Sequence, residues 1–309
     1  MNGRGYRGRY RPVRRRRGIS PLVVIISVVL AALLILFIII GNVLNKKTQA
    51  PPKTTTGVTT DTEAPKPVPP SYKCVLLDIE GGGASQTQSN ITKLAGGGAT
   101  ALSVKAKGAD KTLLYSSTVA KSFGKPTASS LEMSTLVSRA KGQGMHVSVY
   151  FSLDFASVEN VDVRLATLGY ESALVSELFA SGVDDVIISS PDIKLENIDE
   201  LCGFAENVRS ANKNANLGIA LSSELYASAE SAIAIDKLLE VYDILGLDLS
   251  KAPSEDTAKY IEGALSGNLY YILRYNARVI LPSLADAAAS AAIGEVISSN
   301  SITNYQYVN

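Results

Sequence analysis

The run HVSVYFSL, from His146 to Leu153, is the longest of eight short β-rich runs that set the fold of this chain. It is mostly apolar, as expected for a parallel strand that is covered on both faces. The other seven predicted strands have the same character, and they are Cys74–Ile79, Ala101–Ala106, Asp185–Ser189, Leu217–Leu221, Asp243–Leu247, Arg278–Leu281 and Thr303–Val308.

Segments with the apolar spacing of helices separate these strands. Two of these segments end at glycines, which is typical of helix C-termini. Ser129–Lys141 is followed by Gly142, and Tyr170–Ala180 is followed by Ser181 and Gly182. Further predicted helices are Leu195–Ala211, Ser223–Val241, Leu284–Ser298 and Ser254–Asn276, the last of which is predicted to break at Ser266 and Gly267 into two short helices.

The strict alternation of strands and helices indicates an α/β fold with a parallel sheet. Eight strands in the residues after Tyr72 predict a closed (β/α)8 barrel of the TIM type, which typically has about 250 residues. An open, doubly wound sheet is the alternative. The sequence ends at Asn309, directly after the eighth predicted strand. The barrel interpretation therefore also predicts that a partner, or part of the preceding segment, covers the place of the eighth helix.

The N-terminal residues have a different character. Eight arginines lie in residues 1–18, and the next charged residue is Lys46. The stretch Ile19–Gly41 is almost wholly Val, Ile, Leu and Ala, and about 20 such residues span the hydrocarbon layer of a bilayer as a helix. A buried core helix would show a polar face, and a cleaved signal peptide would have a shorter apolar run before a small-residue cleavage site. We therefore predict an uncleaved signal anchor.

The arginines before this predicted span place the N-terminus in the cytoplasm and the C-terminal domain outside the cell. Residues 42–72 are rich in Thr, Pro and Lys, so they are predicted to form a disordered linker. The predicted organisation is a basic cytoplasmic tail (1–18), a single transmembrane helix (19–41), the linker (42–72) and the barrel domain (73–309). The lipid bilayer of the cell membrane is accordingly a predicted partner.

Charge and composition argue against several classes of function. The whole chain has a net charge of +1, and because the tail and linker are basic, the barrel domain is acidic. An acidic domain is a poor nucleic-acid binder, since that affinity depends on neutralising phosphates. Two cysteines and one histidine are too few for a Cys/His metal site. The glycine run Gly81–Gly83 indicates a nucleotide only weakly, so no cofactor is predicted, and His146 is expected to pack at the N-terminal end of its strand.

Two segments resemble a known family. The run ITKLAGGGATALSVKAKGADKTLLYSS, from Ile91 to Ser117, is followed by LVSRAKGQGMHVSVYFSLD, from Leu136 to Asp154. They resemble the first half of a bacterial glycosyl hydrolase-like (β/α)8 barrel domain family of unknown function. In that family a helix leads into a strand that ends near "vKd", followed by a glycine and a short "l-Y-s" segment. The resemblance implies a barrel fold and a glycan-related activity.

The chain departs from this family at the fourth strand. The family usually carries an acidic "D-Y-x-R-F-P" signature there. This chain instead has Ile188-Ser189-Ser190-Pro191-Asp192, which lacks the acid, the arginine and both aromatic residues of that signature. The resemblance therefore implies a barrel with a degenerate strand-four motif.

Carboxylates after the predicted strands are the candidate catalytic groups. The active site of a (β/α)8 barrel forms at the carboxyl ends of its strands, and glycoside hydrolysis commonly uses two carboxyl groups. Asp154 and Asp248 directly follow apolar strands and are the first choices. Asp192 is the third, because it could replace the missing strand-four acid. Each also has a structural explanation, such as helix capping by Asp192 or a turn hydrogen bond at Asp248.

Five further residues are predicted to bind substrate at the same rim, namely Asp78, Glu80, Lys105, Glu224 and Tyr305. Lys105 could instead form a salt bridge inside the mouth, and Glu224 could simply favour the first turn of its helix, where the dipole attracts negative charge. The chain contains no tryptophan. Because sugar rings stack on aromatic faces, this absence argues against a processive polysaccharide hydrolase.

Two functions fit these features. The first is a membrane-anchored extracellular barrel that has lost catalysis and serves as a glycan-binding or scaffold module at the cell envelope. The second is an active glycosidase that hydrolyses cell-wall or extracellular polysaccharide with a pair of rim carboxylates. The missing strand-four acid favours the first, but the fold alone does not decide between an enzyme and a binding module.

Overall fold

The computed structural model describes residues 70–80, 83–108, 110–154, 158–190, 193–226, 231–252 and 256–308. The predicted tail, the predicted span at 19–41 and nearly all of the predicted linker lie outside these ranges. Among the residues inside them, no helix has both the length and the apolar character needed to cross a bilayer.

Eight parallel strands close into one barrel in their order along the chain. β1 pairs with both β2 and β8, so this sheet has no open edge. The strands are β1 (Lys73–Leu76), β2 (Ala101–Lys105), β3 (His146–Ser152), β4 (Asp185–Ser189), β5 (Leu217–Ser222), β6 (Ile244–Asp248), β7 (Arg278–Pro282) and β8 (Tyr305–Val308). The closed barrel confirms the predicted (β/α)8 barrel and excludes the open sheet.

Helices connect the strands on the outside of the barrel. They are α1 (Ala84–Gly96), α2 (Thr118–Ser122), α3 (Met133–Gly142), α4 (Val161–Ala180), α5 (Ile198–Ala211), α6 (Ser223–Tyr226), α7 (Ser231–Val241), α8 (Thr257–Tyr275) and α9 (Ala287–Ser299). A 3-10 turn, Leu195–Asn197, leads into α5. The apolar faces of the helices and the outward faces of the strands form one large core between the two layers.

The prediction for α8 was wrong, because the segment is one helix and not two. Ser266 and Gly267 both lie on its exposed face, where a glycine weakens a helix without ending it. Ile261, Leu265 and Ile272 hold the helix against the core from the other side. The prediction for residues 223–241 was also wrong, because this segment was predicted as one helix and the structure has two, α6 and α7.

α4 begins nine residues before its predicted start at Tyr170, because the cap at Asn160 was not recognised. The side chain of Asn160 accepts a hydrogen bond from the backbone N–H of Val163 at 3.1 Å, which is a typical N-cap. Glu171, in the part of α4 that was predicted, lies close to the end of β3, where it accepts a hydrogen bond from the backbone N–H of Asp154 at 3.1 Å.

Strands β5 to β7 approach closely at Gly246. A Cβ atom on Gly246 would lie 2.8 Å from the Cβ of Ala220 and 3.2 Å from the carbonyl oxygen of Arg278. Since both neighbours belong to paired strands that cannot easily move, Gly246→Ala is expected to lower the free energy of unfolding by about 1–3 kcal/mol. Denaturant unfolding measures this change.

Gly263 in α8 is the matched control for that substitution. It is exposed, and an added Cβ would meet nothing within 4 Å. Gly263→Ala should therefore raise stability by roughly 0.5–1 kcal/mol, because alanine is the better helix former. Equal effects of the two substitutions would contradict the close strand packing at Gly246.

The N-terminal end of the barrel is closed by a group of side chains that we call the barrel floor: Tyr72, His146, Ser148, Asp185 and Arg278. Asp185 and Arg278 are fully buried and form an ion pair of 2.8 Å. Ser148 donates to Asp185 and accepts from Arg278 at 3.0 Å, while the Nε2 atom of His146 lies 2.7 Å from Asp185. The ring of Tyr72 stacks on His146 with centroids 3.7 Å apart. His146 therefore packs at this end of the barrel, as predicted.

Candidate functional site at the barrel mouth

Asp248 ends β6 at the opposite, C-terminal end, the barrel mouth. Its Oδ2 atom accepts hydrogen bonds from the Tyr150 hydroxyl at 3.0 Å and from the Ser189 hydroxyl. Its Oδ1 atom accepts from the backbone N–H of Ser250 at 2.9 Å, so the turn bond considered from the sequence is present. Burial, followed by the nearby charge of Asp248, raises the pKa of Tyr150 far above its usual range. Tyr150 therefore keeps its proton and acts as the donor.

Asp248 lines a pocket of about 190 Å³ that we call the mouth pocket. Glu224, the first acid after β5, lines the same pocket. Their strands are neighbours, with Ser222 directly opposite Asp248 in the β5–β6 register. Hydroxyl groups and one ammonium complete the polar lining, which includes Ser190, Ser222, Ser223, Lys251 and Tyr260.

A wider groove of about 680 Å³ adjoins the mouth pocket. The two share Ser222 and Glu224 as lining residues, so Glu224 lies between them. Away from the mouth pocket, the groove is bordered by the apolar side chains of Ile193, Leu195 and Leu225. We call the two spaces together the cleft; the groove is lined by the charged Lys194 and Glu196 as well as by these apolar side chains.

Asp154, the other first-choice acid, lies in different surroundings. Its carboxylate forms salt bridges with Lys107 at 2.8 Å and with Lys111 at 3.5 Å. It lines a third cavity, of about 220 Å³, that we call the side pocket, and this cavity shares no lining residue with the mouth pocket. Neither of these two cavities, both lined by described residues, contains Asp154 and Asp248 together. The acid that lines the same pocket as Asp248 is Glu224, for which the sequence predicts substrate binding.

Lys107 also bonds a carboxylate that sequence reasoning missed. Its Nζ atom lies 2.5 Å from Glu171, and both side chains are almost completely buried. Burial raises the pKa of Glu171 to about 6, against the opposing effect of the Lys107 charge. Glu171 belongs to α4 and not to a strand end, so a search of strand ends could not find it. Its signal would have been its position three residues after Leu168 and four before Val175, which places this acid on the apolar face of the helix.

The remaining predicted site residues are spread over several places. Asp78 accepts a hydrogen bond from the backbone N–H of Glu80 at 2.8 Å, and both are exposed beyond the end of β1. Lys105 ends β2 and is half-buried opposite Tyr150 in the register. Tyr305 packs beside Tyr307 on β8, away from the mouth, because the alternate residue Gln306 points into the barrel and bonds Ser148. Asp192 lies outside the described residues.

The described residues contain no group of three or more His, Cys, Asp or Glu side chains arranged to hold a metal ion. The mouth pocket instead offers two carboxylates, several hydroxyls and one exposed aromatic ring. Tyr260 supplies that ring, with 38% of its surface exposed, and its hydroxyl lies 3.5 Å from that of Ser223. Such a lining can hydrogen-bond a polyhydroxylated ligand and pack against one of its faces.

Comparison with known proteins shows the fold. No protein-family model matches the chain, and no curated protein sequence matches it. A crystal structure of a protein assigned as an α-L-fucosidase from Bacteroides thetaiotaomicron is similar, with a TM-score of 0.56, 10% identity, and coverage of 84% of this chain and 91% of that chain. The catalytic domain of a mannanase from Streptomyces sp. SirexAA-E has a TM-score of 0.50, 10% identity, and coverage of 77% and 74%. At these identities the likeness is one of barrel architecture.

Proposed function

We propose that this protein is a membrane-anchored barrel outside the cell that binds glycan at its mouth and serves as a binding or scaffold module of the cell envelope. The observation that carries the proposal is the placement of Asp248 and Glu224 in one pocket with hydroxyl groups. The barrel architecture is shared with proteins named as a fucosidase and a mannanase, which supports a sugar ligand. The arginine-rich start and the apolar stretch Ile19–Gly41 support the anchoring.

The chemistry of the cleft suits an oligosaccharide. Carboxylates accept hydrogen bonds from sugar hydroxyls, and hydrogen bonds to a charged group are stronger than those between neutral groups. Asp248 is held in place by Tyr150 and Ser189, so it can receive a sugar hydroxyl without rearranging. The groove beyond Glu224 continues the pocket, and its apolar border at Leu195 and Leu225 suits the less polar face of a second sugar unit.

Two features favour binding over hydrolysis. A glycosidase needs a general acid whose pKa is raised towards the working pH. Burial raises the pKa of Glu171, but this carboxyl group is paired with Lys107 and does not line the mouth pocket. The end of β4 carries Ser189 in place of an acid, and this serine donates to Asp248.

An active glycosidase is the second candidate, and one observation favours it. Asp248 and Glu224 follow neighbouring strands and line the same pocket, as the two carboxyl groups of a glycosidase do. In that case Asp248, fixed by three hydrogen bonds, would be one of the two carboxyl groups and the exposed Glu224 would be the other.

The test uses full-length protein in lipid nanodiscs and a panel of cell-wall and plant oligosaccharides. Asp248→Asn is expected to weaken glycan binding by about 10- to 100-fold, because it removes a charged hydrogen-bond acceptor worth about 1.5–3 kcal/mol. Isothermal titration calorimetry measures the dissociation constant. Asp286→Asn is the matched control, since Asp286 caps α9 outside the cleft and asparagine is an equally good cap.

The possible outcomes separate the two candidates. Binding without release of product supports the module. Release that disappears in both Asp248→Asn and Glu224→Gln supports the glycosidase, and an Asp248→Asn variant that binds like the wild type contradicts the site. Protease treatment of intact cells tests the topology, because a barrel outside the cell is digested and a barrel inside is protected. The predicted cover over β8 stays a prediction.

A further inference from the structure

The mouth pocket carries negative charge that the surrounding protein does not neutralise. Two carboxylates, Asp248 and Glu224, and one ammonium group, that of Lys251, line it, which leaves a net charge of −1. The hydrogen-bond partners of Asp248 are two hydroxyl groups and one backbone N–H, and all three are neutral. Among the residues that the structure describes, neither carboxylate forms an ion pair. The pocket is therefore open to a ligand that brings a positive charge.

The lysines of the cleft do not change this balance. In the groove, the ammonium group of Lys194 already faces the carboxylate of Glu196 at 3.9 Å, so their charges cancel. Lys251 is an exposed side chain, and its charge is screened by solvent and salt. The cleft as a whole is thus acidic.

A buried hydroxyl group gives an independent indication of a ligand. Ser190 lines the mouth pocket and is only 4% exposed, yet its side chain makes no hydrogen bond with the described residues. Buried hydroxyl groups are nearly always hydrogen-bonded, because an unpaired one costs free energy. The partner of this hydroxyl must therefore come from whatever fills the pocket. The Ser222 side chain lines the same pocket and has no partner among the described residues either. Both oxygens can accept a hydrogen bond from a ligand.

We propose that the ligand of the mouth pocket is a sugar unit with a protonated amino group, as in an oligosaccharide of unacetylated hexosamine. This inference rests on the proposed glycan-binding function and adds the class of sugar. The ammonium group binds the carboxylates of Asp248 and Glu224, which give the strongest hydrogen bonds to a charged donor. The ring of Tyr260 lines the same pocket, and an aromatic face adds attraction for a cation.

Charge distinguishes an amino group from the other substituents that a hexose can carry at the same carbon. A hydroxyl group and an acetamido group are both neutral, so either would leave the negative charge of the pocket uncompensated. The carbonyl oxygen of an acetamido group also needs a hydrogen-bond donor. Lys251 is the one described side chain of this lining that donates without also being able to accept, and it is exposed. The lining therefore favours a ligand group that only donates, which is the property of an ammonium group.

The test titrates the full-length protein, in nanodiscs made of neutral lipid, with three tetrasaccharides that share one glucan backbone. They are a glucosamine tetramer, an N-acetylglucosamine tetramer and cellotetraose, and they differ only in carrying an amino, an acetamido or a hydroxyl group on each unit. The titration is made at about pH 6, where an amine with the pKa of a typical α-amino group is protonated. The glucosamine tetramer is expected to bind about tenfold tighter than the other two, and this preference should shrink as the salt concentration rises.

Glu224→Gln separates the charge of the pocket from its shape. Glu224 is exposed and has no partner among the described residues, so the substitution removes one charge and should leave the melting temperature unchanged. The preference for the glucosamine tetramer over cellotetraose should fall from about tenfold to about twofold or less. Lys251→Met changes the charge in the opposite direction and should increase the preference. Glu295→Gln removes an exposed acid from α9, outside the cleft, and is the matched control that should keep the wild-type preference.

The outcomes separate this inference from the proposed function. If cellotetraose or the acetylated tetramer binds as tightly as the glucosamine tetramer, the amino sugar is excluded and the glycan-binding function stands. If no oligosaccharide binds, both are contradicted. A preference that is unchanged in Glu224→Gln overturns the assignment of the ammonium group to this pocket. Nα-acetyl-lysine amide presents an ammonium group without a sugar, so binding as tight as that of the glucosamine tetramer would identify a peptide and overturn the sugar ligand.

Discussion

Replacing Asp185 with asparagine is expected to lower the free energy of unfolding by about 3–5 kcal/mol, because it leaves the guanidinium of Arg278 buried without a counter-charge. Both side chains are 0% exposed, so water cannot take over the role of the lost carboxylate. Arg278 keeps only neutral partners after the change, namely Ser148 and Asn304. Denaturant unfolding at pH 7 measures the effect.

Asp184→Asn is the matched control, one residue away in the chain. Asp184 is partly exposed and pairs with Lys141 at 2.9 Å, itself an exposed side chain. It also accepts a hydrogen bond from the backbone N–H of Val147 at 2.8 Å, which an asparagine oxygen can still accept. The expected loss is below about 1 kcal/mol. If Asp184→Asn were as damaging as Asp185→Asn, the special role of the barrel floor would be refuted.

The Asp185 effect depends on pH in a definite direction. Burial acts to raise the pKa of Asp185, but the charge of Arg278 and the hydrogen bond from His146 outweigh it, so the pKa is lowered below its usual value. A carboxyl group whose pKa is lowered on folding stabilises the fold above its unfolded pKa of about 3.9, and this contribution is lost as the pH falls through the folded value. The difference between wild type and Asp185→Asn should therefore shrink in strong acid.

Lys107→Met should be comparably destabilising, by about 3–5 kcal/mol at pH 8, because it leaves Glu171 buried and charged without its partner. The Glu171 side chain is 1% exposed, so solvent cannot compensate. Lys141→Met is the matched control, because it removes an exposed lysine from a surface pair with Asp184 and should cost less than about 1 kcal/mol. Thermal and denaturant unfolding measure both variants.

The contribution of Glu171 to wild-type stability depends on pH with the opposite sign to that of Asp185, although both Lys107→Met and Asp185→Asn should approach the wild type as the pH falls. In the wild type, burial raises the pKa of Glu171 to about 6, so the folded state holds this proton to a higher pH than the unfolded chain. Stability from this group therefore falls by about 2 kcal/mol as the pH rises from about 4.3 to 6. Without Lys107 the pKa of Glu171 rises further, and the loss continues to higher pH. The stability of the variant should thus be closest to that of the wild type at about pH 5 and below.

A second substitution tests whether the buried charge of Glu171 causes the loss of stability in Lys107→Met. Adding Glu171→Gln to Lys107→Met removes the buried charge, so the double variant should regain a large part of the stability lost at pH 8. A double variant that is no more stable than Lys107→Met would show that packing, and not charge, dominates at this position.

The strands were predictable because their signal is local. Asp185–Ser189 was predicted with its observed bounds, and the other strands differ from the predicted runs by a few residues at their ends. Eight apolar runs of this length, alternating with helical patterns, predict a closed barrel. By contrast, the missed start of α4 depends on one capping side chain, Asn160, whose role is visible only when its hydrogen bond is known.

The site was only partly predictable, because it depends on contacts between distant residues. The rule that strand ends form the active site found Asp154, Asp248 and Glu224. It could not show that Lys107 and Lys111 bind Asp154, which assigns that acid to a separate cavity. Nor could it reveal the buried pair of Arg278 and Asp185, since these residues are 93 positions apart in the sequence.

The barrel floor also determines how the domain responds to mechanical tension. A pull on the chain from its N-terminal side reaches Ser71 and Tyr72 first, where Ser71 is bonded to Asn276 at 3.2 Å and the Tyr72 ring is stacked on His146. Only after these contacts break does the load reach β1, which pairs with β8 at Lys73 and Cys74 and with β2 at Val75 and Leu76. Extraction of β1 then requires both ladders to fail in shear. The contacts of Ser71 and Tyr72 must therefore break before force acts on this short strand.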